Sequence, residues 1–154
     1  MIRRATHDDV ETLVRIQRDA AVAAFAHVFP PDAYPFPDDT IRTGWRAALD
    51  EIDVEVYLAE DDGEPIASVS IGGEFLRTLY VLPSHWGRGT GSSLHDFALE
   101  RLRAGGCTEA RLWTLAENHG ARRFYEKRGW VLNGETRTVP FPPQPLDVGY
   151  SRTL

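Results

Sequence analysis

The sequence has only one cysteine, Cys107, among its 154 residues. A single thiol cannot form an internal disulfide and cannot supply a cysteine pair to a metal site. No apolar run approaches the ~20 residues that a membrane-spanning helix needs. The residues after Met1 contain no apolar core of the kind found in secretory signals. The sequence therefore favours a cytoplasmic protein with no membrane among its partners.

Positive charge is also in short supply, with 17 Lys and Arg against 23 Asp and Glu and a net charge of −6. The basic residues form no long run, so no nucleic acid is expected as a partner. The five histidines are scattered, without an i, i+4 pair or a cluster of Cys, Asp or Glu beside them, so no metal site is expected. The length and the 42% apolar fraction predict one globular domain over residues 1–154.

The apolar periodicity then predicts an order of strands and helices. A short strand is followed by two helices that a proline-rich, aromatic loop at 29–37 separates, and by three consecutive antiparallel strands. A helix, a parallel strand, a short helix and a final pair of strands complete the chain. The predicted strands lie at 2–5, 54–60, 66–71, 75–82, 107–116, 130–139 and 146–154, and the third helix at 92–104.

Three glycines, Gly87, Gly89 and Gly91, fall at the turn between the strand at 75–82 and the helix at 92–104. Glycine lets a backbone bend tightly and approach a ligand, and the first N–H groups of a helix lack intrahelical acceptors. Such a turn favours a phosphate or diphosphate. The turn lacks the lysine of a nucleoside-triphosphate loop and the third glycine of a dinucleotide fingerprint.

Two segments in this order, 79–94 and 118–130, resemble the motifs of the GNAT superfamily of acyl-CoA N-acyltransferases. The first contains Trp-Gly-Arg-Gly-Thr-Gly at 86–91, and the second contains Asn118, Ala121 and the pair Phe124-Tyr125 before Gly129-Trp130. Trp86 stands where the family most often has Gln or Arg. Arg88 can still supply a positive side chain there.

The resemblance implies an α+β (α/β) fold. It has a mixed, mostly antiparallel central sheet of about six to seven strands, a splay between the fourth and fifth strands, and about four flanking helices. It also implies an N-acetyltransferase that moves the acetyl group of acetyl-CoA to a primary amine by direct attack in a ternary complex. The acceptor would be a small molecule or a protein, and a homodimer is allowed because dimers are frequent in the family. A non-catalytic acyl-CoA-binding or sensing module with the same fold remains the alternative.

The resemblance assigns binding and catalytic positions in turn. The backbone of Leu79 and Val81 would pair with the pantetheine arm, and Asn118 would contact that arm, cap a helix, or do both. Tyr125 would be the general acid for the thiolate, since a phenol with an ordinary pKa near ~10 is protonated at neutral pH. Glu74 is the candidate general base, with Glu55, Glu60 and an ordered water as competitors, and a route without a base also remains. The diphosphate would bind at Gly87, Arg88, Gly89, Thr90, Gly91 and Ser92.

The aromatic and proline-rich loop at 29–37 permits two interpretations. A loop of this composition either packs on the surface or forms a wall of a substrate pocket. In the resembled family the helix, loop and helix at this place line the acceptor pocket. We therefore expect the loop to face the acceptor.

Overall fold

The structure, a computed structural model, describes residues 1–154 and contains seven strands and four α-helices. The helices are α1 (Val10–Phe25), α2 (Asp38–Asp50), α3 (Thr90–Ala104) and α4 (His119–Glu126). The strands are β1 (Ile2–Arg4), β2 (Val54–Asp61), β3 (Glu64–Gly72), β4 (Phe75–Val81), β5 (Glu109–Leu115), β6 (Val131–Thr138) and β7 (Leu146–Thr153).

The seven strands form one sheet in the order β1-β2-β3-β4-β5-β7-β6. Every neighbouring pair is antiparallel except β4 and β5, which are parallel. This confirms the predicted mixed, mostly antiparallel sheet with helices on its faces.

The parallel pairing of β4 with β5 is limited to one residue pair, Phe75 with Arg111. Just beyond it, Ser70 of β3 pairs with Thr78 while Ile71 pairs with Leu76, so one extra residue of β4 is left between them. A bulge of this kind bends a strand and increases its twist. The bend turns β4 away from β5, and the predicted splay between the fourth and fifth strands is confirmed.

The backbone of β4 that faces this gap is free of partners in the sheet. The Leu82 N–H donates to the Ile66 carbonyl of β3 at 2.9 Å. Because hydrogen-bonded and non-hydrogen-bonded pairs alternate in an antiparallel ladder, the N–H and C=O groups of Leu79 and Val81 point the other way, toward β5. One side of the gap is therefore lined by N–H and C=O groups of β4 that have no partner in the sheet.

The two faces of the sheet carry separate hydrophobic clusters. One lies under α1 and α2 and includes Leu13, Ile16, Trp45, Val56 and Leu58. The other lies under α3 and α4 and includes Leu76, Leu94, Leu99, Leu112 and Tyr150. No helix combines the length and the apolar character that crossing a membrane requires.

Most of the predicted element boundaries differ from the observed ones by one or two residues, and two of these differences have a clear physical cause. Helix α3 begins at Thr90 instead of Ser92 because Gly89, with φ +84°, ends the preceding turn directly before it. Strand β5 begins at Glu109 instead of Cys107, since the Cys107 N–H still donates to the Leu102 carbonyl at the exit of α3. Both differences arise at a helix end, one from a left-handed backbone conformation and one from a backbone hydrogen bond, and apolar periodicity reveals neither.

Candidate active site

A cavity of about 990 Å³ lies beside the gap between β4 and β5. Its walls are the end of α1 and the loop that follows, the middle of β4, the end of β5, α4 and the connection between β6 and β7. The aromatic loop contributes Phe29, Tyr34 and Phe36, as the sequence predicted for an acceptor wall. The ring Nε2 of His27 donates to the Glu117 carbonyl at 2.8 Å and thereby links the loop after α1 to the turn before α4.

The glycine turn before α3 forms a cradle of backbone groups. Gly87 and Gly89 have φ values of +73° and +84°, and a Cβ atom built on either would meet nothing within 4 Å. No side chain caps the N-terminus of α3. Its first N–H groups, beginning at Thr90, are therefore available to an anion, as the diphosphate of coenzyme A requires.

The other residues of the loop have distinct positions. A Cβ atom at Gly91 would lie 3.6 Å from Phe124 and 3.8 Å from Val81, so α3 packs closely against α4 and β4. Ser92 Oγ accepts a hydrogen bond from Arg128 Nη2. Arg88 is exposed to solvent beside the cradle.

Trp86 forms a hydrogen bond with one of the backbone groups of β4 that face the gap. Its indole Nε1 donates to the Val81 carbonyl at 2.7 Å, while the ring stays about half exposed. The N–H of Val81 and both backbone groups of Leu79 remain directed at the gap. A pantetheine arm that pairs with the Val81 carbonyl would have to displace this indole.

Asn118 is the N-terminal cap of α4. Its Oδ1 accepts from the Ala121 N–H at 3.1 Å, and its side chain also lines the cavity. The amide NH₂ of Asn118 has no partner in the protein, so it is free to contact a ligand. The geometry permits both functions that the sequence left open.

Tyr125 lies on α4 and is 8% exposed, with its ring against Phe124 and Trp130 at centroid distances of 5.2 and 5.9 Å. Its hydroxyl makes no hydrogen bond within the protein, and the residue lines the cavity. Burial, and to a smaller extent the charge of Tyr80, raises the pKa of Tyr125 above its ordinary value. The phenol is therefore protonated at neutral pH and able to donate.

None of the three glutamates predicted as candidate general bases lines the cavity with Tyr125. Glu74 Oε1 is paired with Arg111 Nε at 3.2 Å, and although its neighbours Gly73 and Phe75 line the cavity, Glu74 does not. Glu55 pairs with Arg101 at 2.8 Å. Glu60 pairs with an arginine of β1 and, like Glu55, lies away from the cavity. No group of three or more His, Cys, Asp or Glu side chains is arranged to hold a metal ion.

Three residues that sequence reasoning missed line the cavity: Tyr80, Arg137 and Asp147. Tyr80 lies between Leu79 and Val81, so strand alternation alone could have placed it on the opposite face of β4 from those two side chains. Arg137 and Asp147 lie on β6 and β7, where nothing in the sequence links them to the two motifs.

Comparison with known families decides the assignment. The model of the acetyltransferase (GNAT) family matches residues 14–130, which include the cradle, the gap and α4. This chain belongs to the GNAT family. The prediction that it is an acyltransferase enzyme of this family is thereby confirmed.

Relatives of this GNAT chain have similar lengths. It is 30% identical over 153 residues to the peptidyl-lysine N-acetyltransferase YjaB of Salmonella typhimurium, with 92% of each chain covered. It is 29% identical over 137 residues to an uncharacterized N-acetyltransferase of Archaeoglobus fulgidus, with 80% of this chain and 88% of that protein covered.

Solved structures share its fold. The PaiA N-acetyltransferase of Thermoplasma acidophilum, in complex with coenzyme A, superposes with a TM-score of 0.78 at 19% identity, covering 100% of this chain and 98% of that one. The apo form of YjaB from Escherichia coli gives a TM-score of 0.74 at 23% identity, with 98% and 95% covered.

Proposed function

We propose that this GNAT protein transfers the acetyl group of acetyl-CoA to a primary amine by direct attack in a ternary complex. The observation that carries the proposal is the gap between β4 and β5, which runs from the glycine cradle at α3 to a cavity that Tyr125 lines. A diphosphate, an extended arm and a thioester can then lie in line along one edge of the sheet.

The residues that would hold the cofactor are those predicted from the sequence. The N–H groups at the start of α3, in Thr90, Gly91 and Ser92, would bind the diphosphate, with Arg88 adding positive charge. The backbone of Leu79 and Val81 would orient the arm, and Asn118 would contact it from the start of α4. Acetyl-CoA, when bound, supplies an activated acyl thioester.

The chain itself then orients the reactants and moves one proton. A backbone N–H of β4 polarises the thioester oxygen as charge develops on it. As the C–N bond forms and the C–S bond breaks, Tyr125 Oη donates its proton to the departing sulfur. The attacking nitrogen releases one proton, which balances the proton that Tyr125 later regains from solvent.

In this mechanism Glu74 acts on the amine only through a water molecule. Glu74 lies between two residues that line the cavity, Gly73 and Phe75, and is paired with Arg111. We propose that the amine proton passes to a water molecule and from there to Glu74 or to bulk solvent.

A thiol-release assay on a panel of amines tests the proposed function. The panel contains a lysine peptide, because the relative from Salmonella typhimurium is named for peptidyl-lysine, together with aliphatic and aromatic amines. Calorimetry measures acetyl-CoA binding in parallel. Tight binding together with amine-dependent release supports the proposal. Tight binding without release above hydrolysis would instead favour the non-catalytic module.

The Glu74→Gln variant belongs in the same assay. We expect its kcat at neutral pH to fall by ~2- to 10-fold, because a base that acts through water is partly replaced by solvent. A kcat equal to that of the unaltered protein would remove Glu74 from the mechanism.

A further inference from the structure

A polar corner of the cavity takes no part in the proposed acyl and proton transfer. Asp147, the second residue of β7, is 6% exposed, and its Oδ2 accepts from Arg137 Nε at 3.0 Å. Its Oδ1 has no partner in the protein. Asp147 Oδ1 is not among the fully enclosed side-chain atoms that lack a hydrogen-bond partner, and Asp147 lines the cavity, so this oxygen contacts the open space of the cavity.

Tyr80 lies on the same side of the sheet as Asp147. Tyr80 packs against the cluster under α1 and α2, whereas Leu112 of β5 belongs to the cluster under α3 and α4. Side chains alternate along a strand, so Trp113 and Leu115 face α1 and α2, and Asp147 is paired directly opposite Leu115. Tyr125 approaches the gap from the other face.

This polar corner of the cavity already holds one positively charged side chain, that of Arg137. The Arg137 guanidinium lies 4.5 Å from the centre of the Trp113 ring and is ion-paired with Asp147. A carboxylate beside an indole face is an arrangement that attracts positive charge. Only one carboxylate oxygen is used by Arg137, which leaves the second for another donor.

The walls around the corner are mainly apolar and aromatic. They include Phe25, Phe29, Phe36, Phe75 and Phe141. Pockets of this kind bind an apolar body and fix its orientation through a few polar groups. Asp147 Oδ1 and Tyr80 Oη are polar groups on this face that have no hydrogen-bond partner within the protein and are free to do so.

We propose that Asp147 Oδ1 and Tyr80 Oη bind the amino group of the acceptor, and that the acceptor is a primary amine on an aromatic or other bulky apolar body. This inference rests on the proposed function and adds the substrate class. Burial and the nearby charge of Asp147 raise the pKa of Tyr80 to about 12, so its hydroxyl stays neutral.

Calorimetry with the full chain tests the inference without requiring turnover. The probes are 2-phenylethylamine, a lysine peptide, 1,4-diaminobutane and 2-phenylethanol. We expect 2-phenylethylamine to bind at least ~10-fold more tightly than the other three. Asp147→Asn should weaken its binding by ~10- to 100-fold, as expected for a lost hydrogen bond to a charged group, and Tyr80→Phe by ~2- to 10-fold.

Two control variants separate binding from a structural role. Arg137→Gln breaks the same ion pair as Asp147→Asn but keeps the negatively charged Asp147 carboxylate, so it should not weaken amine binding. Glu100→Gln removes an exposed negative charge on α3 and should change nothing. Equal weakening by Asp147→Asn and Arg137→Gln would overturn the inference. If Asp147→Asn does not fold, the comparison of 2-phenylethylamine with 2-phenylethanol decides the point.

The two proposals fail in different ways. Thiol release with the lysine peptide or with 1,4-diaminobutane, without tight binding of 2-phenylethylamine, would contradict the substrate class and leave acetyl transfer intact. Tight, Asp147-dependent binding of 2-phenylethylamine without any thiol release would contradict acetyl transfer and leave the amine site intact.

Discussion

At the scale of single residues, the proposed mechanism depends on the Tyr125 hydroxyl as its general acid. It has no partner within the protein and lines the cavity. We expect Tyr125→Phe to lower kcat by ~10²- to 10⁴-fold, the usual contribution of a positioned acid. The Kd for acetyl-CoA should not change, because Phe keeps the packing against Phe124. Steady-state kinetics and calorimetry check both, and an unchanged kcat would exclude Tyr125 as the acid.

The buried tyrosines also predict how stability depends on pH. In the folded protein the pKa of Tyr80 is about 12 and that of Tyr125 is also raised, whereas unfolded tyrosines ionise near ~10. Above that pH the unfolded state loses protons first, so the free energy of unfolding should fall as pH rises from ~10 to ~12, while these tyrosines leave it unchanged at lower pH. Urea titrations across pH 8 to 12 measure this. Tyr80→Phe should make the decline shallower, and an equally steep decline in that variant would exclude Tyr80 as a cause.

The candidate site could be predicted from the sequence only in part at this scale. Gly89 lies in a glycine-rich turn between a strand and a helix, and Asn118 and Tyr125 belong to one contiguous motif, so the family resemblance could propose them as site residues. Asp147 could not be found in this way, because its role depends on a register that brings the start of β7 beside Leu115 of β5. Pairing between strands distant in sequence is set by the whole sheet and leaves no local pattern.

At the scale of elements, the turn before α3 is where we expect a substitution to weaken cofactor binding. Gly89 and Gly63 have similar backbone conformations, with φ values of +84° and +78° and open space around each Cβ position, but Gly63 lies in the β2–β3 turn. Gly89→Ala and Gly63→Ala should each reduce stability by about 1–2 kcal/mol, the cost of a left-handed L-residue. Only Gly89→Ala should also weaken acetyl-CoA binding in calorimetry. Equal affinities of the two variants for acetyl-CoA would contradict the proposal that the cradle binds the diphosphate.

Most elements could be predicted because their periodicity is strong. The three strands from Val54 to Val81 and helix α3 agree with prediction to within two residues at each end. The gap between β4 and β5 was expected only through family resemblance. Its cause is the extra residue of β4 near Arg77, and a bulge adds no polar or apolar signal to a strand.

At the scale of the whole molecule, one sheet joins the two hydrophobic clusters. We predict that residues 1–154 unfold as a single domain in one cooperative transition. Leu58→Ala, at a fully buried position under α1 and α2, should reduce the free energy of unfolding by about 2–5 kcal/mol. Ile52→Ala, at a fully exposed position, should change it by less than ~0.5 kcal/mol. Circular dichroism and tryptophan fluorescence should give coincident urea transitions, and separate transitions would contradict the single domain.

The fold class could be predicted for the whole chain, whereas the acceptor could not. The cavity is assembled from α1, the loop after it, β4, β5, α4 and the β6–β7 connection. Its chemical character is therefore a property of the assembled fold. The acidic net charge of −6 gave at most a weak preference for cationic partners.

Amide hydrogen exchange with and without coenzyme A tests most directly whether the cofactor binds along the gap. We expect added protection in two segments: residues 79–92, which cover the end of β4, the glycine turn and the start of α3, and residues 118–125, which cover the cap and most of α4. Exchange in the β2–β3 turn around Gly63 should not change. Coenzyme A that binds without protecting residues 79–92, or that protects a different part of the sheet, would contradict the proposed site.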